Sequence, residues 1–285
     1  MKTIDTLVED IHNLLQNGLD DIPEDRLKKF NDQMGFNIKR QLIKDKGQPN
    51  NTLRMSNIGS PCERKLWYTV NDANNPDREK LDATVKVKFI YGDLTEEMIL
   101  FFAELAGHTV EAQQEVQEIE GIKGHMDAII DGCVVDVKSA STYAFQKFRD
   151  GNLLQDDPFG YYTQIMSYLY SSQEDPRVTD KDHGYFLVFD KQLGHICLDK
   201  HEKPDWFDQF PEMYKRRKKS MEGPIPPRGF EPIPHQKSGN MKLDTFCSYC
   251  EFKKVCYPEL RSFIYSGKPV FMTTVAKEPN VDEVM

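Results

Sequence analysis

The chain has 285 residues, 39% of them hydrophobic, and a formal net charge of −9, which allows one large domain, or a domain with appendages, around a real core. The acidic balance excludes a protein that coats nucleic acid indiscriminately, but positive charge gathers in "MYKRRKKS" (213–220) and at Arg64 and Lys65, and local patches decide phosphate contact. No apolar run reaches the roughly 18–20 residues of a membrane span, and "MKTIDTLVEDIHNLL" lacks the basic start and apolar stretch of a signal peptide, so a cytoplasmic chain without a membrane partner is expected.

Ile4, Leu7, Ile11, Leu14 and Leu15 have helical spacing, and residues 4–45 are expected to be helical up to the linker-like "DKGQPNNT". Residues 1–50 are therefore read as an N-terminal helical segment. Ser60 and Pro61 resemble an N-cap and first helical position, which puts Cys62 in the first turn of a helix. The spacing over 84–105 predicts a long, buried helix. After Gly107 the period changes: "HTVEAQQEVQEI", "GHMDAII" and "CVVDVKS" have strand composition. Helices are expected near 142–150 and 158–172, strands in "GYFLVFD" and "GHICLD", and a helix near 204–221. The proline-rich "GPIPPRGFEPIPHQ" reads as a connector into "CSYCEFKKVC", and residues 266–285 as an exposed, flexible acidic tail.

Asp131-Gly132 is a two-residue hairpin signal. That register sets residue 130 opposite 133, 128 opposite 135 and Asp127 opposite Asp136, with His125 facing Lys138. One face is then apolar (Met126, Ala128, Ile130, Cys133, Val135, Val137) and the other carries His125, Asp127, Asp136 and Lys138. Two carboxylates opposed on a ladder repel, and a divalent cation such as Mg²⁺, which prefers oxygen ligands and keeps several waters, would relieve them. A solvated hairpin with a charged outer face is the competing reading, and spacing alone does not separate the two.

These residues resemble the PD-(D/E)XK nuclease superfamily, in its RecB-like branch: "GHMD" is followed by "DVK" on the next strand. Two helices carry further resemblance. In "GDLTE", Gly92 matches the branch's Gly-x-x-x-His and Glu96 stands at the histidine position, with Glu97 as the neighbouring alternative. "QIMSY" matches Gln-x-x-x-Tyr through Gln164 and Tyr168. The resemblance, over about residues 56–260, implies an α/β restriction-endonuclease-like core, a mixed central sheet flanked by helices, within a nuclease domain at 51–265. It implies Mg²⁺ or Mn²⁺ held by Glu96, Asp127, Asp136 and the main-chain carbonyl of Val137. Lys138 would position the attacking water, and Gln164 and Tyr168 the scissile strand.

Cys62, Cys247, Cys250 and Cys256 resemble the iron–sulfur staple of RecB-like nucleases, one cysteine before the core and three after it. Four thiolates suit a [4Fe–4S] cluster, and a zinc site would use the same ligands. Cys133 and Cys197 read as packing residues. The resemblance implies cleavage of DNA, as an exonuclease on single strands or ends, in recombination, repair or phage DNA metabolism; the compact form would suit a bacteriophage. The rival is a DNA-binding adaptor of a recombination or CRISPR-adaptation complex. Candidate phosphate contacts are Lys39, Arg40, Lys44, Arg64, Lys65, Lys215, Arg216, Arg217, Lys218 and Lys219, and candidate stacking residues are Tyr143, Phe145, Phe148, Tyr161 and Tyr162. A homo-oligomer or a recombination or replication partner protein is compatible with all of this.

Overall fold

The structure, a computed structural model, describes residues 2–43, 51–80 and 82–284. Two compact units divide the chain: one comprises 2–43, 54–59 and 82–216, the other 51–53, 60–80 and 217–284. These boundaries differ from sequence breaks at 50 and 265. Leu7 and Ile11 of the N-terminal segment are fully buried in the first unit's core, so the N-terminal helices belong to that unit rather than forming an appendage.

The elements of the first unit begin with α1 (Leu7–Asn17), ended by Gly18 at a φ of 71°, and α2 (Glu24–Leu42), then α3 (Met55–Ile58). Next in the chain is α4 (Glu63–Asn71), which belongs to the second unit. The first unit resumes with α5 (Ala83–Leu105), capped by Asp82, whose carboxylate accepts from the Val85 N–H at 2.8 Å. Strands β1 (Val110–Glu111), β2 (Glu115–Ile119), β3 (Ile122–Met126), β4 (Ala128–Ile130) and β5 (Cys133–Ala140) follow, then α6 (Thr142–Arg149), α7 (Tyr161–Ser171), β6 (His183–Asp190), β7 (Ile196–Glu202) and α8 (Phe210–Glu222), the last running past the unit boundary.

The central sheet has the order β1-β4-β5-β6-β7. β5 and β6 are parallel, and the other neighbours are antiparallel, so this is the expected mixed sheet flanked by helices. A parallel pair needs a crossover connection, and α6 and α7 supply it. One sheet face packs Ala128, Ile130, Val135, Val137 and Leu187 with Ile99, Leu100 and Ala103 of α5 and with Leu7 and Ile11 of α1; each such buried Val, Leu or Ile side chain contributes about 1.5–3 kcal/mol. Cys133 joins this core, as its place on the apolar face predicts. The other face meets α6 and α7: Phe148 packs edge-on against Phe186, 5.4 Å between ring centres. Among the described residues no helix is long and apolar enough to cross a membrane.

Four departures from the sequence reading bear on the site. The strand expected through 108–119 is broken, because Ala112 and Gln114 take φ of 54° and 55° and turn the chain between β1 and β2. β3 leaves the main sheet and pairs with β2, His125 opposite Val116, so His125 does not face Lys138. Only the C-terminal half of α5 is buried; Val87 and Phe89 nearer its start are exposed. Cys62 is itself the N-cap of α4 rather than a first-turn residue, with the Ser60 hydroxyl accepting from its N–H at 3.4 Å.

The second unit holds α4, β8 (Ile233–His235), β9 (Asn240–Lys242), α9 (Thr245–Ser248), α10 (Lys253–Cys256), β10 (Arg261–Tyr265), β11 (Lys268–Thr274) and β12 (Glu283–Val284). Its sheet has the order β12-β10-β11-β9-β8. The expected tail is thus partly sheet: Ser266-Gly267 turns β10 into β11 with φ of 48° and 74°, and Met272 is fully buried. The proline-rich connector likewise contributes β8.

Candidate active site

The hairpin register is as the Asp-Gly turn demands: Ala128 opposite Val135 and Ile130 opposite Cys133. Asp131 and Gly132 have φ of 50° and 80°, and a Cβ on Gly132 would lie 2.1 Å from the Thr179 hydroxyl, so both conformation and space require glycine. Asp127 stands just before β4, where β3 diverges. Its carboxylate reaches across to β5 and accepts from the Val137 N–H at 2.8 Å, which fixes it beside Asp136. Asp136 is fully buried. Lys138, two residues on and therefore on the same face, brings its ammonium 2.5 Å from Asp136 Oδ2. Among the described residues, no group besides the Lys138 ammonium pairs with the buried Asp136 oxygens.

The two flanking helices complete the cluster. From α5, Glu96 accepts from Gln114 Nε2 at 2.6 Å, and the same amide nitrogen reaches Asp127 Oδ1 at 3.3 Å. Gln114 therefore clamps two of the carboxylates. Glu97, one position on and rotated about 100° around the helix, turns to Asn37 of α2 instead, so the structure separates the two glutamates and gathers Glu96 with the aspartates. From α7, Tyr161 lies under the Lys138 ammonium, 4.8 Å from ring centre to nitrogen. Gln164 and Tyr168 are both buried, Tyr168 to 1% exposure, on one helix face, and Tyr168 feels the charge of Asp136.

The electrostatics follow from burial. Desolvation first, then the charges of Glu97, Asp136 and Asp93, raise Glu96 to about 7 against the hydrogen bond from Gln114, which lowers it. Asp127 is raised well above the carboxylate range by desolvation first, then by Asp136 and Glu96. Asp136 is also raised by desolvation, with Lys138 opposing. Desolvation pulls Lys138 down, but the charges of Asp136 and Asp127 prevail and hold it above its ordinary value. Three acids share one ammonium in a low-dielectric site, and the arrangement is short of positive charge.

Hard oxygen donors, two of them buried on Asp136 and met there by a single ammonium, fit a divalent cation in kind. Among the described residues, no three His, Cys, Asp or Glu side chains form a ready-made metal cage. The same holds for the cysteines, yet Cys62, Cys247, Cys250 and Cys256 all line one cavity of the second unit, together with Arg64, Lys65 and Arg228. Burial pushes the Cys247 thiol up to about 12 and Cys250 up to about 11. Four soft thiols with basic neighbours fit a cluster or a zinc ion in kind. Cys197 lies apart on β7, half-buried.

A profile of the PD-(D/E)XK nuclease superfamily matches residues 64–257, a span that takes in Glu96, the Asp127–Lys138 hairpin, Gln164 and Tyr168. The chain belongs to the PD-(D/E)XK nuclease superfamily. Among solved structures, this PD-(D/E)XK protein is similar to SSO0001 (15% identity, 81% of this chain and 96% of that one, TM-score 0.38). It is also similar to an alkaline exonuclease from Laribacter hongkongensis (13% identity, 61% and 91%, TM-score 0.40). No curated protein matches it.

The remaining candidate residues of this PD-(D/E)XK chain scatter. Arg64 donates to the Pro226 carbonyl and Lys65 sits over the Phe246 ring, both turned to the cysteine cavity. Arg217 pairs with Glu63, Lys215 with Glu212, and Arg40 with Asp93. Arg216 borders an open groove with Trp206 and Met213. Lys39, Lys218 and Lys219 are exposed, and Lys44 lies outside the described residues. Phe145 and Phe148 are core residues, Tyr162 donates to the Glu202 carbonyl, and Tyr143 is 71% exposed. The sequence reading missed Gln114 altogether and gave Tyr161 no place at the lysine. Nothing in sequence marks Gln114, because its position depends on a left-handed turn made without glycine.

Proposed function

We propose that this chain is a Mg²⁺- or Mn²⁺-dependent deoxyribonuclease, acting as an exonuclease on single strands or DNA ends in recombination, repair or phage DNA metabolism. The pairing of half-buried Asp127 with fully buried Asp136, and Lys138 on the same face, carries this reading. Glu96, Asp127, Asp136 and the Val137 carbonyl would hold the cation, which supplies Lewis-acid charge at the phosphate and activates water. Lys138, held protonated by the two aspartates, donates hydrogen bonds and positive charge rather than taking up a proton, and so orients water toward the phosphorus. Tyr168, whose phenol burial keeps protonated, and Gln164 present neutral donors that steady the scissile strand from α7. Gln114 keeps Glu96 and Asp127 aimed at a common point. In the second unit the four cysteines would hold a [4Fe–4S] cluster, or zinc in its place, with Arg64, Lys65 and Arg228 offsetting the thiolate charge.

The test is cleavage of end-labelled single- and double-stranded DNA with Mg²⁺ and with Mn²⁺. Asp136→Ala and Lys138→Ala are each expected to lose at least about a thousandfold in rate while keeping native circular dichroism, since an unrelieved buried charge is removed in one and Asp136 can protonate in the other. Full activity in either variant overturns the assignment.

A further inference from the structure

A cavity of about 140 Å³ opens beside Lys138, between the end of β5, α6 and the segment that leads into α7. Its walls are mixed in the way small-ligand sites are, apolar with a few polar groups. Phe148 and Leu153 form a buried floor. Tyr161 stands between Phe148 and Phe159, with ring centres 6.2 and 5.4 Å away. Ser139 and Lys147 contribute hydrogen-bonding groups, Lys147 being paired with Asp156. Phe159 is 45% exposed, and Asp156 and Asp157 also line the cavity.

We propose that this cavity seats one unpaired nucleobase of the strand whose phosphodiester lies at Asp127, Asp136 and Lys138. The inference rests on the nuclease reading above and adds to it a substrate class: DNA whose nucleotide next to the cleaved bond is out of the duplex. Three observations select that occupant. Lys138 belongs both to the carboxylate cluster and to the cavity wall, so whatever fills the cavity is attached to what binds at the cluster, and on a DNA strand that attachment is a sugar and its base. The volume is close to the roughly 150 Å³ of an apolar cavity that admits benzene, which is room for a single ring system and not for a base pair. The aromatic faces of Phe159 and Tyr161 offer stacking that any base accepts, and a stacked base must first leave its partner, as bases do when enzymes extrude them into pockets.

The test uses the full-length chain and two readouts. Single strands carrying one abasic residue, moved a position at a time past the cleaved bond, are expected to show about a tenfold rise in KM at one position adjacent to that bond, the scale of one lost base stack. Phe159→Ala, and Ala144→Trp, which fills the cavity, should weaken use of the intact strand about tenfold and abolish the position dependence. Separately, Asp136→Asn protein is titrated with strands holding a single 2-aminopurine. Fluorescence quenched at one position, and restored in the Asp136→Asn, Ala144→Trp double variant, supports the cavity as the base site even if no DNA is cut. A flat abasic scan together with 2-aminopurine emission insensitive to Ala144→Trp and Phe159→Ala overturns the inference, and does so with the nuclease reading intact if intact strands are still cleaved.

Discussion

Glu96→Gln separates the electrostatic strain of the site from its function. In the metal-free protein the Glu96 carboxyl is raised from 4.5 to about 7, so between those values the native state holds a proton that the unfolded chain gives up, and stability falls as pH rises. At about 1.4 kcal/mol for each tenfold change in proton affinity this comes to about 3 kcal/mol at pH 8, part of it set by the neighbouring Asp136. Glutamine keeps the shape, and its amide oxygen can still accept from Gln114, but it never ionises. Glu96→Gln is therefore expected to stabilise the chelator-treated protein by about 2–3 kcal/mol at pH 8 and by well under 1 kcal/mol at pH 4.5, while abolishing metal-dependent cleavage. The assay is urea unfolding in EDTA at both pH values, followed by Trp206 emission in a Trp67→Phe background so that the first unit reports alone. Equal effects at the two pH values, or a loss of stability at pH 8, would refute the account of a charge-strained site.

Gln114→Ala frees Glu96 and Asp127 from their shared donor; the cation concentration for half-maximal cleavage should rise about tenfold with little change in melting temperature, measured by Mn²⁺ titration of the rate. Gly132→Ala places a Cβ against Thr179 at a φ of +80° and should cost about 2 kcal/mol or more in denaturant unfolding. Protein purified without oxygen is expected to be brown, with a broad visible band and four irons per chain, and Cys250→Ser should lose both; a colourless protein with one zinc ion would assign the cysteines to zinc.

Much of the candidate site was legible because strands alternate with a period of two. Once Asp131-Gly132 fixes the turn, Asp127, Asp136 and Lys138 must share a face, and the structure places them so. Gln164, Tyr168 and Glu96 were marked only by resemblance to the family's motifs; the helical repeat then sets Gln164 and Tyr168 on one face, and a single rotation on α5 parts Glu96 from Glu97. What could not be read is where the backbone leaves regularity. His125 is one side-chain alternation from Asp127, yet β3 peels away to pair with β2, and no residue type announces it. The turn at Ala112 and Gln114 likewise uses left-handed conformations without glycine. The strand β11 is a different case: Ser266-Gly267 between "RSFIY" and "KPVFMTT" is a hairpin signal, overlooked because the surrounding charge suggested an exposed tail.

The second unit is built from three stretches, and two of them, 60–80 and 217–284, bracket most of the first unit in the sequence. During synthesis the central sheet is complete once β7 has emerged, whereas Cys62 waits for Cys247, about 185 residues behind it. At about 5–20 residues per second that interval is about 10–40 s, in which Cys62 is a lone thiol on an unfinished chain. The cysteine-lined cavity therefore cannot close until the strands of the central sheet have all been made.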